Sequence, residues 1–162
     1  MRERTNWYKV EAGDIISFRY RSSDGRLELH TILLMGVQIP YTKKNGDINK
    51  HVVGIKIESR NRTLINANQF LNELKKIGEI ELVKETKTNE AIIRVGMGST
   101  ARRVPPSFNK LENYTKILAN KPGRFTGGYR TYSWDKCKAM AVYFEPIIIP
   151  PASIKKIKEG KI

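Results

Sequence analysis

Apolar and polar side chains alternate over residues 14–20, a pattern typical of β-strands that bury one face. Residues 14–20 place Phe18 and Tyr20 on one side, with polar side chains between them. The alternation resumes over 26–35. The intervening residues 22–25 end in glycine, which accepts the positive φ of a tight turn. This pattern predicts a β-hairpin.

A second hairpin is indicated by the Asn-Gly pair at 45–46, the strongest short signal for such a turn. It leads into an apolar strand at 51–58, and two shorter strands are indicated near 80–84 and 91–95. Strands joined by short turns form an antiparallel meander or most of a small barrel.

One helix is predicted between the strands. Apolar side chains recur at three- and four-residue intervals from Ala67 to Ile77. Asn66 is of the type that caps a helix start. Gly78 stands where a residue in the left-handed conformation commonly ends one.

The second half of the chain gives weaker signals. Residues 107–119 fit a second helix, and Ser133 could cap a short helix that runs through Lys138. Residues 139–144 would either extend that helix or form a closing strand. The tail, 152–162, would be either a docking helix or a disordered arm.

These elements predict a β-rich α+β fold, with an antiparallel sheet or small β-barrel and two or three helices. The length of 162 residues suits one domain. We expect residues 1–93 to form a β-rich core with one helix. Residues 94–150 would form a basic region of loops and helix packed on the same domain, and residues 151–162 a basic tail.

Charge adds the first functional information. Thirty Lys and Arg face sixteen Asp and Glu, which gives a net charge of +14. Residues 1–93 carry 16 basic and 12 acidic side chains, whereas 94–138 carry 10 and 2. A surface that only keeps a protein in solution does not need this bias. We therefore expect the middle stretch to contact a polyanion, namely nucleic acid, either DNA or RNA.

Two segments of the middle stretch contain the candidate binding residues. The glycine- and arginine-rich run 96–103 lacks the residues of a phosphate loop and of a dinucleotide fingerprint, so no cofactor is expected. Residues 121–134 interleave cations with aromatic rings, as single-strand binders do. The candidate phosphate contacts are Arg94, Arg102, Arg103, Lys121, Arg124 and Arg130. The candidate stacking groups are Phe125, Tyr129, Tyr132 and Trp134, although Tyr129 and Tyr132 would alternatively pack inward.

Catalytic and metal-binding patterns are weak. His30, His51 and Cys137 are too few and too far apart for a zinc site. We favour structural histidines and a small buried thiol, although the lysines flanking Cys137 would lower its pKa. No catalytic residue is assigned. A metal-dependent nuclease that uses Asp14 or Glu28 remains an alternative.

The chain starts with charged residues and lacks an apolar run of the ~20 residues that a membrane helix needs. We therefore expect no signal peptide and no membrane partner, and a location in the cytoplasm or in a virion.

Three segments resemble small virion-associated proteins of large tailed bacteriophages. They are Gly13-Asp14-Ile15-Ile16-Ser17-Phe18-Arg19-Tyr20, Gly54-Ile55-Lys56-Ile57 before a leucine-bearing helix, and Tyr129-Arg130-Thr131-Tyr132-Ser133. The glycine- and arginine-rich insert and the basic tail lie outside this resemblance. It implies a non-enzymatic part of the head, neck or tail, and some such proteins meet the end of the packaged DNA.

The sequence therefore predicts a non-enzymatic basic protein that binds DNA or RNA as an accessory part of a larger assembly, such as a phage virion, together with other protein subunits. The first alternative is a connector subunit that has no direct contact with nucleic acid. The second is the nuclease.

Overall fold

The computed structural model describes residues 2–57, 67–87, 89–96 and 130–160. The strands are β1 (Glu3–Thr5), β2 (Ile15–Arg21), β3 (Leu27–Thr42), β4 (Ile48–Lys56), β5 (Ile80–Lys87), β6 (Glu90–Val95), β7 (Arg130–Ser133), β8 (Val142–Phe144) and β9 (Ile147–Ile148). The helices are α1 (Ala67–Lys75), α2 (Trp134–Cys137) and α3 (Pro151–Lys158).

The strands form two antiparallel sheets. The large sheet has six strands in the order β1-β8-β2-β3-β4-β7, and the small sheet has three in the order β5-β6-β9. The predicted β-rich α+β fold is confirmed. Across the described residues both sheets are open, so the sheet alternative holds and the closed barrel does not.

Both predicted hairpin turns are present. Their backbone amides close the turns, with Ser22 donating to the carbonyl of Arg26 at 2.9 Å and Lys43 to that of Asp47 at 2.7 Å. Gly25 and Gly46 have φ of +88° and +91°, which explains why glycine is needed in each turn. The strand after the first turn, β3, is longer than predicted.

The large sheet has a core on each face. One face packs against the small sheet, α1 and α3, and the other packs beneath α2. The first core includes Ile15, Leu33, Ile55, Leu71, Leu74, Ile93, Val95, Ile154 and Ile157. The second includes Val10, Ile16, Phe18, Ile32, Leu34, Val52, Tyr132, Cys137 and Val142.

Two glycines allow the chain to pass very close to other backbone. Gly13 has a φ of +98°, and its carbonyl accepts a hydrogen bond from the amide of Val95 at 2.9 Å. A side chain at Gly78 would collide with the carbonyl oxygen of Gly96. The prediction that Gly78 ends α1 in the left-handed conformation is wrong, because its φ is not positive. Glycine is needed there for space.

The structure decides two of the open alternatives. Residues 142–144 form the closing strand β8, which pairs with β1 and β2. The tail forms the docking helix α3, because Ile154 and Ile157 are buried in the first core. Ser133 precedes α2 as expected but makes no side-chain capping bond. The predicted helix at 107–119 lies outside the described residues.

Candidate nucleic-acid interface

Four of the ten predicted binding residues lie in the described part of the chain. They are Arg94, Arg130, Tyr132 and Trp134. The predicted contacts Arg102, Arg103, Lys121, Arg124, Phe125 and Tyr129 lie outside it.

Arg94 lies between the two sheets and is engaged by carboxylates. Its Nε donates to Asp14 Oδ1 at 2.5 Å, and its Nη1 is 3.0 Å from Glu11 Oε1. Asp14 is completely buried. Burial raises the pKa of Asp14, while the hydrogen bond from Arg94 opposes that rise. Arg94 therefore neutralises a buried acid in this arrangement, and Asp14 is not presented to a substrate as the nuclease alternative requires.

Tyr132 packs inward, as the alternative interpretation of this residue expected. Only 3% of it is exposed, and its ring meets that of Phe18 edge-on at 5.1 Å between centroids. Its hydroxyl lies 3.1 Å from His30 Nδ1. The predicted stacking role requires an exposed ring face, which Tyr132 does not offer here.

Trp134 stands at the edge of the second core and is partly exposed. Its ring meets that of Trp7 edge-on, with centroids 5.6 Å apart and an angle of 89°. Trp7 in turn donates its indole N–H to the carbonyl of Met140 at 3.0 Å. This bond holds the turn after β1 against the corner between α2 and β8.

An open cleft of about 320 Å³ lies at this corner, and we call it the aromatic cleft. It is lined by Arg4, Thr5, Asn6, Trp7, Tyr8, Trp134, Lys138, Ala139, Met140, Ala141 and Val142. Tyr8 is 69% exposed, so most of its side chain is accessible to a ligand.

The charged side chains that line the aromatic cleft are cations. Arg4 is exposed and forms no ion pair with the rest of the described chain. Lys138 pairs with Asp135 at 2.9 Å, but both side chains are largely exposed. Such a pair is weak, so a phosphate can displace the carboxylate. Flat rings beside cations suit a ligand that combines an aromatic base with a phosphate.

Arg130, Lys56 and Lys136 are a second set of cations, and they lie near the second core of the large sheet. Burial first, and then the charges of Lys56 and Arg130, lower the pKa of His30, which indicates that both cations lie near this histidine. Lys136 Nζ lies 5.3 Å from the centre of the Tyr20 ring. None of these three cations forms an ion pair within the described residues.

The contribution of the first eight residues was not predicted from the sequence. Arg4, Trp7 and Tyr8 combine cations with aromatic rings just as residues 121–134 do. The same criterion applied to the first eight residues would have identified them. That these residues lie beside Trp134 could not be predicted from the sequence, because their position depends on the pairing of β1 with β8.

Cys137 and the potential metal ligands are the other reactive groups of the described chain. Cys137 is fully buried, as expected, and burial raises its pKa to about 12 in spite of the flanking lysines. Within these residues, no cluster of His, Cys, Asp and Glu could hold a metal ion. None of the described helices is long and apolar enough to span a bilayer.

Comparison with models of protein families, with curated proteins and with solved structures gives no significant match.

Proposed function

We propose that this chain is a non-enzymatic nucleic-acid-binding protein that holds an unpaired segment of the nucleic acid in the aromatic cleft, as an accessory part of a larger assembly. One observation carries the proposal. Trp7, Tyr8 and Trp134 line one open cleft together with two cations, Arg4 and Lys138.

Single-stranded nucleic acid suits this cleft better than a duplex. Unpaired bases expose their flat faces, and each base stacked on an aromatic side chain contributes about 1–3 kcal/mol. The volume of about 320 Å³ is small, which suits one base with its phosphate rather than a paired segment.

The remaining cations extend the path for the phosphate backbone. Arg130 is the residue at which the basic stretch 94–138 enters the large sheet. It lies with Lys56 near His30, on the face that also carries Trp134. A strand held in the aromatic cleft could therefore continue toward these cations.

Fluorescence anisotropy with a labelled single-stranded oligonucleotide tests the proposal. The logarithm of the binding constant should fall linearly with the logarithm of salt concentration, because neutralised phosphates release counterions. Tyr8→Ala should weaken binding by about 5- to 150-fold, the equivalent of losing one stacked base. Because 69% of Tyr8 is exposed, this change should cost little stability.

Reversing a charge in the aromatic cleft is the second part of this test. Arg4→Glu should weaken binding by at least about tenfold. Lys156→Glu, an equal change of charge on the exposed face of α3, is the matched control and should have a much smaller effect. Binding that does not depend on salt concentration, or equal effects of Arg4→Glu and Lys156→Glu, would rule out the cleft as the binding site.

A connector subunit without nucleic-acid contact is the second candidate, and exposed apolar side chains favour it. Leu27 and Leu29 at the start of β3 are 39% and 37% exposed. Light scattering after nuclease treatment distinguishes the two candidates. A large oligomer that binds no oligonucleotide supports the connector, whereas a monomer that binds supports the first proposal.

A further inference from the structure

We propose that a projecting hairpin is a second DNA contact that enters the major groove of a duplex. This inference rests on the proposed function and names its substrate class, which is DNA that carries a junction between a single strand and a duplex. The hairpin arm is defined as residues 37–50, the distal parts of β3 and β4 with the turn between them.

The hairpin arm is a two-stranded ribbon that extends beyond the large sheet. Its strands pair with each other from Ile39 opposite His51 to Thr42 opposite Ile48. On one side, the pairing of β2 with β3 ends at Leu33. On the other, β7 pairs with β4 only from His51 onward. Neither strand of the arm thus has a second neighbour among the described strands.

The base of the hairpin arm is bent by irregular pairing. The register of β3 against β4 shifts between Leu34 and Gly36 and again between Gly36 and Ile39. Gln38 adopts a φ of +59° within this stretch. Bulges of this kind increase twist and turn a ribbon away from its sheet. Val37 and Ile39 at this base still pack against the two cores, which anchors the arm, whereas the turn residues 43–47 beyond them are exposed and accessible to a groove.

The charge of the hairpin arm fits a polyanion. Lys43, Lys44 and Lys50 are exposed and form no ion pair within the described residues. The arm has one acid, Asp47. Its carboxylate accepts a hydrogen bond from the side-chain amide of Asn45 at 3.1 Å, and so serves the turn. The arm therefore has three cations and one acid, and Lys43 and Lys44 lie at its tip.

A duplex is the occupant that best fits the shape and surface of the arm. The major groove of B-form DNA, about 12 Å wide, admits a two-stranded β-ribbon. Ile48 is 65% exposed on the arm, and an apolar side chain there can contact a thymine methyl group. Pro40 and the lysines disfavour the addition of a further β-strand, which is the main way a protein partner would use such an edge.

The test compares the single-stranded oligonucleotide, the duplex of the same sequence and a duplex with a single-stranded overhang. The wild-type protein should bind the overhang probe most tightly, because both surfaces are engaged. Lys43→Glu combined with Lys44→Glu should weaken duplex and overhang binding by at least about tenfold and reduce the salt slope for the duplex by about two. It should change single-strand binding by less than about threefold.

The matched control is Lys155→Glu combined with Lys156→Glu on α3, which makes the same change of net charge. It should weaken all three complexes modestly and to a similar extent. An arm variant that behaves like this control, or unaltered duplex binding, would overturn the arm proposal. So would an arm variant that changes the oligomeric state without DNA, since the arm would then contact protein.

Failure of the two proposals can be told apart. If the wild-type protein binds duplex in an arm-dependent manner but does not bind the single strand, the aromatic cleft proposal fails and the arm remains a DNA contact. If Tyr8→Ala weakens single-strand binding while the arm variant leaves duplex binding unchanged, the arm proposal fails and the cleft stands.

Discussion

Several buried polar side chains in the described part of the chain have specific partners. Ser17 donates to Glu145 Oε2 at 2.5 Å and lies 3.0 Å from Thr31 Oγ1. His30 meets the hydroxyl of Tyr132 between aromatic rings. Such pairs are needed because a buried polar group without a partner costs about 1–3 kcal/mol.

His30 makes the stability of the protein depend on pH. Burial, followed by the charge of Lys56, lowers its pKa below the ordinary value of 6.5. The unfolded chain therefore takes up the proton first. The contribution to stability is complete above pH 6.5 and declines as the pH falls from there through the lowered pKa, by at most about 1.4 kcal/mol per pH unit.

Urea unfolding at pH 7.5 and pH 5.5 measures this effect. The wild-type protein should lose more stability between the two pH values than His30→Gln, in which the amide keeps a polar partner for Tyr132 but cannot titrate. An equal loss in both proteins would show that carboxylates alone produce the pH dependence.

At the scale of elements, the hairpins were predictable because their turns depend on local chemistry, and Gly25 and Gly46 are sufficient signals. The helix α3 was left open, because its burial depends on a distant core. Ile154 and Ile157, one turn apart, were the available signal. The role of Gly78 was mistaken for a similar reason, since the backbone of Gly96 is distant in sequence.

Removing one apolar contact of α3 should show that the tail is part of the fold. Ile154 is 7% exposed, and Ile154→Ala should lower the free energy of unfolding by about 2–5 kcal/mol. Lys156→Ala on the exposed side of the same helix should change it by less than about 0.5 kcal/mol. Urea midpoints measure both, and similar values for the two variants would mean that α3 is not docked in solution.

At the scale of the whole molecule, the two sheets are joined through the charged contact of Arg94 with Asp14. The sequence showed that Arg94 lies in an apolar strand and begins the basic stretch 94–138. It did not show that Arg94 faces an acid 80 residues earlier in the chain. Cleft residues such as Arg4 were missed in the same way, whereas Trp134 was predicted because its aromatic and basic neighbours are local.

Replacing Arg94 should therefore lower the free energy of unfolding. Arg94→Ala leaves the carboxylate of Asp14 buried without its cation, which should cost about 3–5 kcal/mol. Arg26→Ala removes an exposed pair with Asp24 and should have a far smaller effect on stability. Thermal unfolding compares them. A stable Arg94→Ala protein with reduced affinity for oligonucleotides would return Arg94 to the role predicted from the sequence.

The pairing of β1 with β8 places Glu3 opposite Phe144, so the aromatic cleft depends on a contact between distant parts of the chain. During translation, β1 is synthesised long before β8, its neighbour in the large sheet, emerges. Trp7 and Tyr8 reach their places beside Trp134 and Met140 at that late moment. The aromatic cleft therefore forms only after residues 133 positions apart in the sequence have been synthesised and brought together.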